Sequence, residues 1–244
     1  MTDALAKAIA AGEMDVWYQP QVASGTLRIA GFEALARWNH PVRGCIGPDD
    51  FLDQSEEAIE NLAAFVLGRA CSDAALWPDI MVGVNVAPHQ FAHSEFPDDI
   101  AAIAKAAGLP LDRLELELLE NAALENPDAA RSVMTRLRQM GVSIAIDDFG
   151  QGHSFDFLQL DLPVSKIKLA RSIVADPSTS EWIKEFVGMA HTLNMEITAE
   201  GVETQAQALA MQVAGCDYMQ GYFFARPLPG RDVVRALIGV DPKF

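Results

Sequence analysis

Two adjacent carboxylates at the end of a short apolar run are the residues from which any chemistry of this chain has to start. Ser143-Ile144-Ala145-Ile146 runs into Asp147-Asp148 and then Phe149-Gly150. That pattern reads as a buried strand delivering two acids to a glycine turn, at the mouth of a barrel or sheet where loops gather. Two acids so placed repel each other unless a cation or a shared proton lies between them. Taken alone, the pair also fits a helix cap beside a solvated acid. The choice between these readings depends on whether other acids converge on the pair.

Other apolar runs end in polar groups of a related kind. Glu33 lies in Phe32-Glu33-Ala34-Leu35-Ala36-Arg37, Asn85 follows Val84, and Glu117 and Glu120 flank Leu118-Leu119. Lys168, Glu200 with Glu203, and Gln220 close the series. If the strands form a barrel, these groups face one mouth, where barrel active sites are built. Oxygen donors with one amide, and no His or Cys among them, suit Mg²⁺, Mn²⁺ or Ca²⁺ rather than zinc. Several carboxylates relieved by a single lysine would be strongly unfavourable without metal. The joint arrangement therefore points to a two-metal phosphoryl site.

The elements that must position these groups alternate along the chain. Val16–Val22 and Ile29–Leu35 read as strands joined by a turn at Ser24-Gly25, too short for a crossover helix, so the two are expected to be antiparallel. Helices are expected at Asp49–Ala58 and Glu60–Leu76. Thereafter strands fit Met81–Val86, Leu114–Leu119, Ser143–Asp147, Val164–Leu169, Met195–Ala199 and Tyr218–Gln220. Helices fit Ser94–Ala107, Pro127–Met140, Thr179–Leu193, Thr204–Ala214 and Gly230–Ile238. Such alternation means parallel strands with helical crossovers, and eight strands favour an α/β barrel over an open sheet.

Half of the 244 residues are hydrophobic, enough for one large core, and the chain offers no linker at which to cut it. It is read as a single domain over residues 1–244, opened by an amphipathic helix over about residues 1–12 rather than a signal peptide. No apolar run reaches the roughly 18 residues that span a bilayer, so a soluble, cytoplasmic protein without membrane insertion is expected. Cys45, Cys71 and Cys216 are odd in number and widely spaced, which supports neither a disulfide framework nor a zinc knuckle and suggests small buried side chains. The net charge of −16 argues against polymeric nucleic acid, which is held by clustered Lys and Arg. A small phosphate ligand is compatible with that charge if divalent cations supply local positive charge.

The same residues carry a family resemblance. Tyr18-Gln19-Pro20, Glu33-Ala34-Leu35-Ala36-Arg37-Trp38, Val84-Asn85-Val86, Glu117-Leu118-Leu119-Glu120, Asp147-Asp148-Phe149-Gly150, Lys168, Ala199-Glu200-Gly201-Val202-Glu203 and Gln220-Gly221-Tyr222 resemble the ordered motifs of the EAL domain. The resemblance runs from about Asp15 to Leu237. It implies a modified TIM (β/α)8 barrel with one antiparallel strand, and a cyclic di-GMP phosphodiesterase that uses two Mg²⁺ or Mn²⁺ ions and releases linear pGpG. Carried over by motif, Glu33, Asn85, Glu117 and Asp147 would hold one metal, with Asp147 shared with a second that Asp148 and Glu200 complete. Lys168 would orient or deprotonate the attacking water, Glu203 and Gln220 would hold water and neighbouring ligands, and Glu120 would anchor the loop after the aspartate pair. Gln19, Leu35 and Arg37 would contact the dinucleotide, Arg37 at a phosphate. Calcium would inhibit, because its longer and looser coordination fits such a centre poorly. The resemblance further implies a homodimer, and sensor or GGDEF domains fused outside this stretch.

Three departures from the family pattern stand out. Ala170 replaces an aspartate two residues after the lysine, Leu119 replaces a threonine, and Gln151-Gly152-His153-Ser154-Phe155-Asp156 replaces Thr-Gly-Tyr-Ser-Ser-Leu. That loop lies beside the second metal and the dimer interface in the family, and altered support around a metal can cost about 10–100-fold in affinity or activity. The alternative expectation is therefore a cyclic di-GMP receptor module with weak or no turnover. His153 reads as an ordinary loop histidine ahead of a ligand, and Phe155 and Phe157 as loop aromatics folded onto the barrel ahead of a partner-facing patch.

Overall fold

The computed structural model describes residues 4–51, 56–119, 127–150 and 162–238. Helix α1 (Ala4–Ala10) leads into β1 (Met14–Ala23) and β2 (Ile29–His40). After β3 (Gly44–Ile46) and α2 (Glu56–Ala74), strand and helix alternate as β4 (Met81–Asn85), α3 (Phe96–Ala107), β5 (Leu114–Leu119), α4 (Pro127–Gln139) and β6 (Ser143–Phe149). The chain continues through β7 (Lys166–Leu169), α5 (Arg171–Ala175), α6 (Ser180–Thr192), β8 (Glu196–Ala199), α7 (Gln205–Ala214) and β9 (Tyr218–Gln220). It ends with β10 (Leu228–Pro229) and α8 (Gly230–Leu237).

Eight strands close a ring in the order β1-β9-β8-β7-β6-β5-β4-β2, with β2 returning to β1. Strand β1 is antiparallel to both its neighbours, β2 and β9, and the other contacts around the ring are parallel. This is the expected modified (β/α)8 barrel. Its cause is visible in the chain: the link between β1 and β2 holds no crossover helix, so those two strands form a hairpin. The short strands β3 and β10 add to the outer parts of β2 and β1.

A two-residue period sorts each strand between core and lumen. In β5, Leu114, Leu116 and Leu118 are fully buried in the hydrophobic core, each worth about 1.5–3 kcal/mol of apolar burial. The intervening Glu115 and Glu117 meet Lys166 and Lys168 of β7 across the lumen. The apolar core is thus the layer between strands and helices, while the barrel interior is polar. Gly83 of β4 makes this possible beside Glu117, since a Cβ there would fall on the Glu117 carboxylate. Local signals set the flanking helices: Thr204 caps α7 in a reciprocal box with Gln207, satisfying first-turn donors.

Some expected boundaries shift. The two helices expected at 49–58 and 60–76 are a short 3-10 turn at Pro48–Asp50 and one helix, Glu56–Ala74. Strand β2 runs five residues past Leu35 because β1 and β3 pair with its extension. Strands β3 and β10 and helix α5 were not expected, being too short to show a period. The N-terminal helix buries Leu5 and Ala8 as its pattern suggests. All three cysteines are free, but Cys45, on β3, is exposed rather than buried. No helix among the described residues is long and apolar enough to cross a membrane.

Candidate metal and phosphate site

The aspartate pair occupies an irregularity that a strand pattern cannot reveal. Consecutive residues of a regular strand point to opposite faces, so Asp147 and Asp148 could not both serve one mouth. Between Ile146 and Phe149, β6 carries one residue more than the Ile167 to Leu169 stretch of β7 that it pairs with, and Asp148 adopts a left-handed backbone with φ 54°. A bulge of this kind re-aims side chains, and an aspartate tolerates the left-handed region better than most residues. Both carboxylates consequently line the same cavity.

Lys168 stands at the centre of the arrangement, with its side chain wholly buried. Its Nζ lies 2.5 Å from Glu117 Oε2, 2.8 Å from Glu200 Oε1, 3.1 Å from Asp147 Oδ1 and 3.6 Å from Glu33 Oε2. Five strands or strand ends thereby meet at one ammonium. Asn85 Nδ2 donates to Glu33 Oε1 at 2.9 Å, and Gln220 Nε2 reaches Glu33 Oε2 at 2.5 Å and Gln19 Oε1 at 3.3 Å. Burial alone would lower the Lys168 ammonium, but Asp147, Glu117, Glu200 and Glu33 outweigh it and hold it well above the usual lysine value.

One ammonium does not neutralise four carboxylates. Burial raises the Glu117 carboxyl well above the usual range, opposed by Lys168 and reinforced by Glu33 and Asp147. Burial likewise pushes Glu200 up to about 8, again with Lys168 opposing and Asp147 and Glu33 adding to the rise. Glu117 Oε1 is buried without a hydrogen-bond partner among the described residues, an arrangement costly for a carboxylate oxygen unless a cation meets it. Glu33, Glu117 and Asp147 each offer an oxygen, all within 4.8 Å of one another. The donor chemistry and the orphaned oxygen both fit a hard divalent cation.

A cavity of about 250 Å³ opens above this cluster, lined by Gln19, Glu33, Leu35, Asp147, Asp148, Arg171, Glu200, Gly201, Glu203, Gln220, Gly221 and Tyr222. Of the residues singled out from the sequence, eight line it: Gln19, Glu33, Leu35, Asp147, Asp148, Glu200, Glu203 and Gln220. Glu117 and Lys168 sit in the buried cluster with Glu33 and Asp147, and Asn85 joins it through Glu33. Arg37 is on the same strand two residues beyond Leu35, outside the lining, with its guanidinium 5.8 Å from the Trp17 ring centre and Nη1 donating to the Ala36 carbonyl at 2.7 Å. Glu203 pairs at 2.7 Å with Arg171 Nη2. Glu120 lies outside the described residues, as do His153, Phe155, Phe157 and the whole Gln151–Asp156 loop. Of the two other departures, Ala170 is fully buried and Leu119 is 47% exposed.

Residues that sequence reasoning missed complete the interior. Lys166 and Glu115 form a second buried pair, Nζ to Oε2 2.7 Å, one strand step below Lys168 and Glu117. Lys166 Nζ also lies 4.7 Å from the Tyr218 ring centre, and Tyr218 Oη donates to Glu196 at 3.0 Å. The alternation Leu114-Glu115-Leu116-Glu117 beside Lys166-Ile167-Lys168 carried the signal, because same-parity residues share a face. Arg171 and Tyr222, which line the cavity, follow strand ends and gave no periodic sign.

Comparison with known proteins agrees with this geometry. The family model described as "EAL domain" matches residues 2–227. Cyclic di-GMP phosphodiesterase NbdA of Pseudomonas aeruginosa is 35% identical across 94% of this chain and 31% of its own length. Across the first curated relatives, the chain spans about 30% of their length. Among solved structures, "PaMucR Phosphodiesterase, c-di-GMP complex" matches with a TM-score of 0.87 and 34% identity, covering 94% of this chain and 97% of that one. Klebsiella pneumoniae BlrP1 in its manganese and cy-diGMP complex matches with a TM-score of 0.79 and 26% identity, covering 89% of this chain and 57% of that one. With its motifs, its closed barrel and a family match over nearly its whole length, this chain belongs to the EAL domain family.

Proposed function

We propose that this chain is a metal-dependent phosphodiesterase that hydrolyses cyclic di-GMP to linear pGpG. The observation that carries this reading is the convergence of Glu33, Glu117, Asp147 and Glu200 on the buried Lys168 at the barrel mouth. Glu33, Asn85, Glu117 and Asp147 would hold one Mg²⁺ or Mn²⁺, and Asp147, Asp148 and Glu200 a second. Such a pair supplies Lewis acidity and an activated water for in-line attack on a phosphodiester. The chain's own residues do the rest. Gln19 and Leu35 on the cavity wall take up the nucleotide, with Arg37 above them suited to a phosphate by its planar fork. Lys168 Nζ, held protonated by the carboxylate cage, would orient the attacking water by donation, and would accept a proton only where bound cations offset the surrounding carboxylates. Gln220 fixes the Glu33 carboxylate.

The test is product analysis with purified protein across Mg²⁺, Mn²⁺ and Ca²⁺. pGpG is expected with the first two, inhibition with Ca²⁺, and no product from Lys168→Met under any of them. A receptor module remains the second reading, motivated by Ala170, whose buried methyl group offers no carboxylate where the family pattern has one. Calorimetric binding of cyclic di-GMP without pGpG would favour it. The protein would act in the cytoplasm, as a homodimer and beside a sensor or GGDEF domain in the full-length chain.

A further inference from the structure

Arg171 is the one cation among the described residues that line the cavity, against five carboxylates: Glu33, Asp147, Asp148, Glu200 and Glu203. It is the first residue of α5, just past the buried Leu169 and Ala170 at the end of β7. Two features hold its side chain at the lip. Its stem lies over Gly201, where a Cβ would occupy the volume of the Arg171 methylenes, and φ at Gly201 is +64°, a conformation side chains rarely adopt. Beyond the stem, Nη2 is fixed by Glu203 Oε1 at 2.7 Å.

Folding gives this pair little reason to exist. The Arg171 side chain is 68% exposed and that of Glu203 41%, and exposed pairs are close to neutral for stability. A guanidinium carries five N–H donors, and among the described residues the pair with Glu203 engages Nη2 alone, leaving donors for a ligand. A planar fork on an otherwise acidic rim matches a phosphate, which accepts two parallel bonds from it. We propose that Arg171 binds a phosphate of the substrate at the cavity lip, with Glu203 acting as the positioning residue that aims the guanidinium. The proposal rests on the phosphodiesterase reading above and adds to it a binding residue and the reason for the Arg171–Glu203 pair.

Arg171→Met keeps an apolar stem over Gly201 and removes the fork, and Arg171→Lys restores charge without it. Binding of cyclic di-GMP in Ca²⁺ would be measured by calorimetry at low and high ionic strength, with KM and kcat in Mn²⁺ alongside. For Arg171→Met, affinity is expected to fall about 10-fold or more, with a weaker salt dependence than wild type and KM rising more than kcat falls. Arg171→Lys is expected to recover part of the affinity and the salt dependence. Wild-type binding that Arg171→Met leaves unchanged in strength and salt dependence would overturn the assignment and leave the phosphodiesterase reading intact. A fall in kcat with KM unchanged would also overturn it, since that marks a structural role. A wild-type protein that neither binds nor cleaves would sink both readings.

Discussion

Lys168 Nζ sits 2.5 Å from Glu117 Oε2, with both side chains wholly removed from solvent. Neither charge is tolerable there alone. Lys168→Met would strand four carboxylates without a counter-charge, and such losses cost about 3–5 kcal/mol, a fall of roughly 10 °C in Tm for a chain of this size. Thermal unfolding in EDTA is expected to show that fall, and Mn²⁺ to reverse part of it through binding to the native state. An unchanged Tm in EDTA would mean that the ammonium is not balancing the ring.

Acid groups that keep protons in the folded state give the metal-free protein an unusual pH dependence. Glu200 is raised from an ordinary carboxyl value to about 8, first by burial and then by Asp147 and Glu33, with Lys168 opposing. The folded protein then binds more protons than the unfolded chain between those limits, so this group's stabilisation is complete below the ordinary carboxyl range and is lost as pH rises toward 8. Tm in EDTA is expected to drop from pH 5 to pH 8. Mn²⁺ should raise Tm more at pH 8 than at pH 6, with proton release on binding; an equal increment at both values would count against the shift.

The bulge at Asp148 separates backbone from carboxylate. Glycine accepts a left-handed backbone freely, whereas a β-branched residue there is a true outlier. Asp148→Gly is expected to melt within about 2 °C of wild type, while Asp148→Val loses more than about 1 kcal/mol. Both should bind Mn²⁺ more weakly. Equal stability of the two variants would show that φ at position 148 is not positive.

Below the site, the Lys166–Glu115 pair should behave as a structural ion pair. Lys166→Met alone leaves Glu115 buried without its partner and is expected to destabilise by about 3–5 kcal/mol. Joined with Glu115→Leu it should recover most of that loss, because apolar replacement of a buried pair is often neutral. Denaturant unfolding of the two single variants and the double variant measures the coupling, and strict additivity would contradict it.

Much of the barrel was legible because parallel strands with helical crossovers leave a strong alternation, and the β1–β2 hairpin shows in a link too short for a helix. Most of the candidate residues that the structure gathers at the cavity were legible as well, since strand ends collect at one mouth, whereas Arg37 lies outside its lining. What could not be read depends on tertiary geometry. No pattern in Asp147-Asp148 foretells a bulge that turns both to one side. Arg171 is placed by the Gly201 backbone and Glu203, thirty and thirty-two residues on in sequence. The extension of β2 follows from strands that pair with it, not from its own residues.

Cyclic di-GMP hydrolysis is the claim on which the other readings depend. The most direct measurement is a time course of purified protein with cyclic di-GMP and Mn²⁺, with substrate and pGpG both quantified. Stoichiometric conversion to pGpG that stops on chelation is the expected result. Intact substrate after prolonged incubation, by a protein that binds Mn²⁺ and is folded, would contradict it.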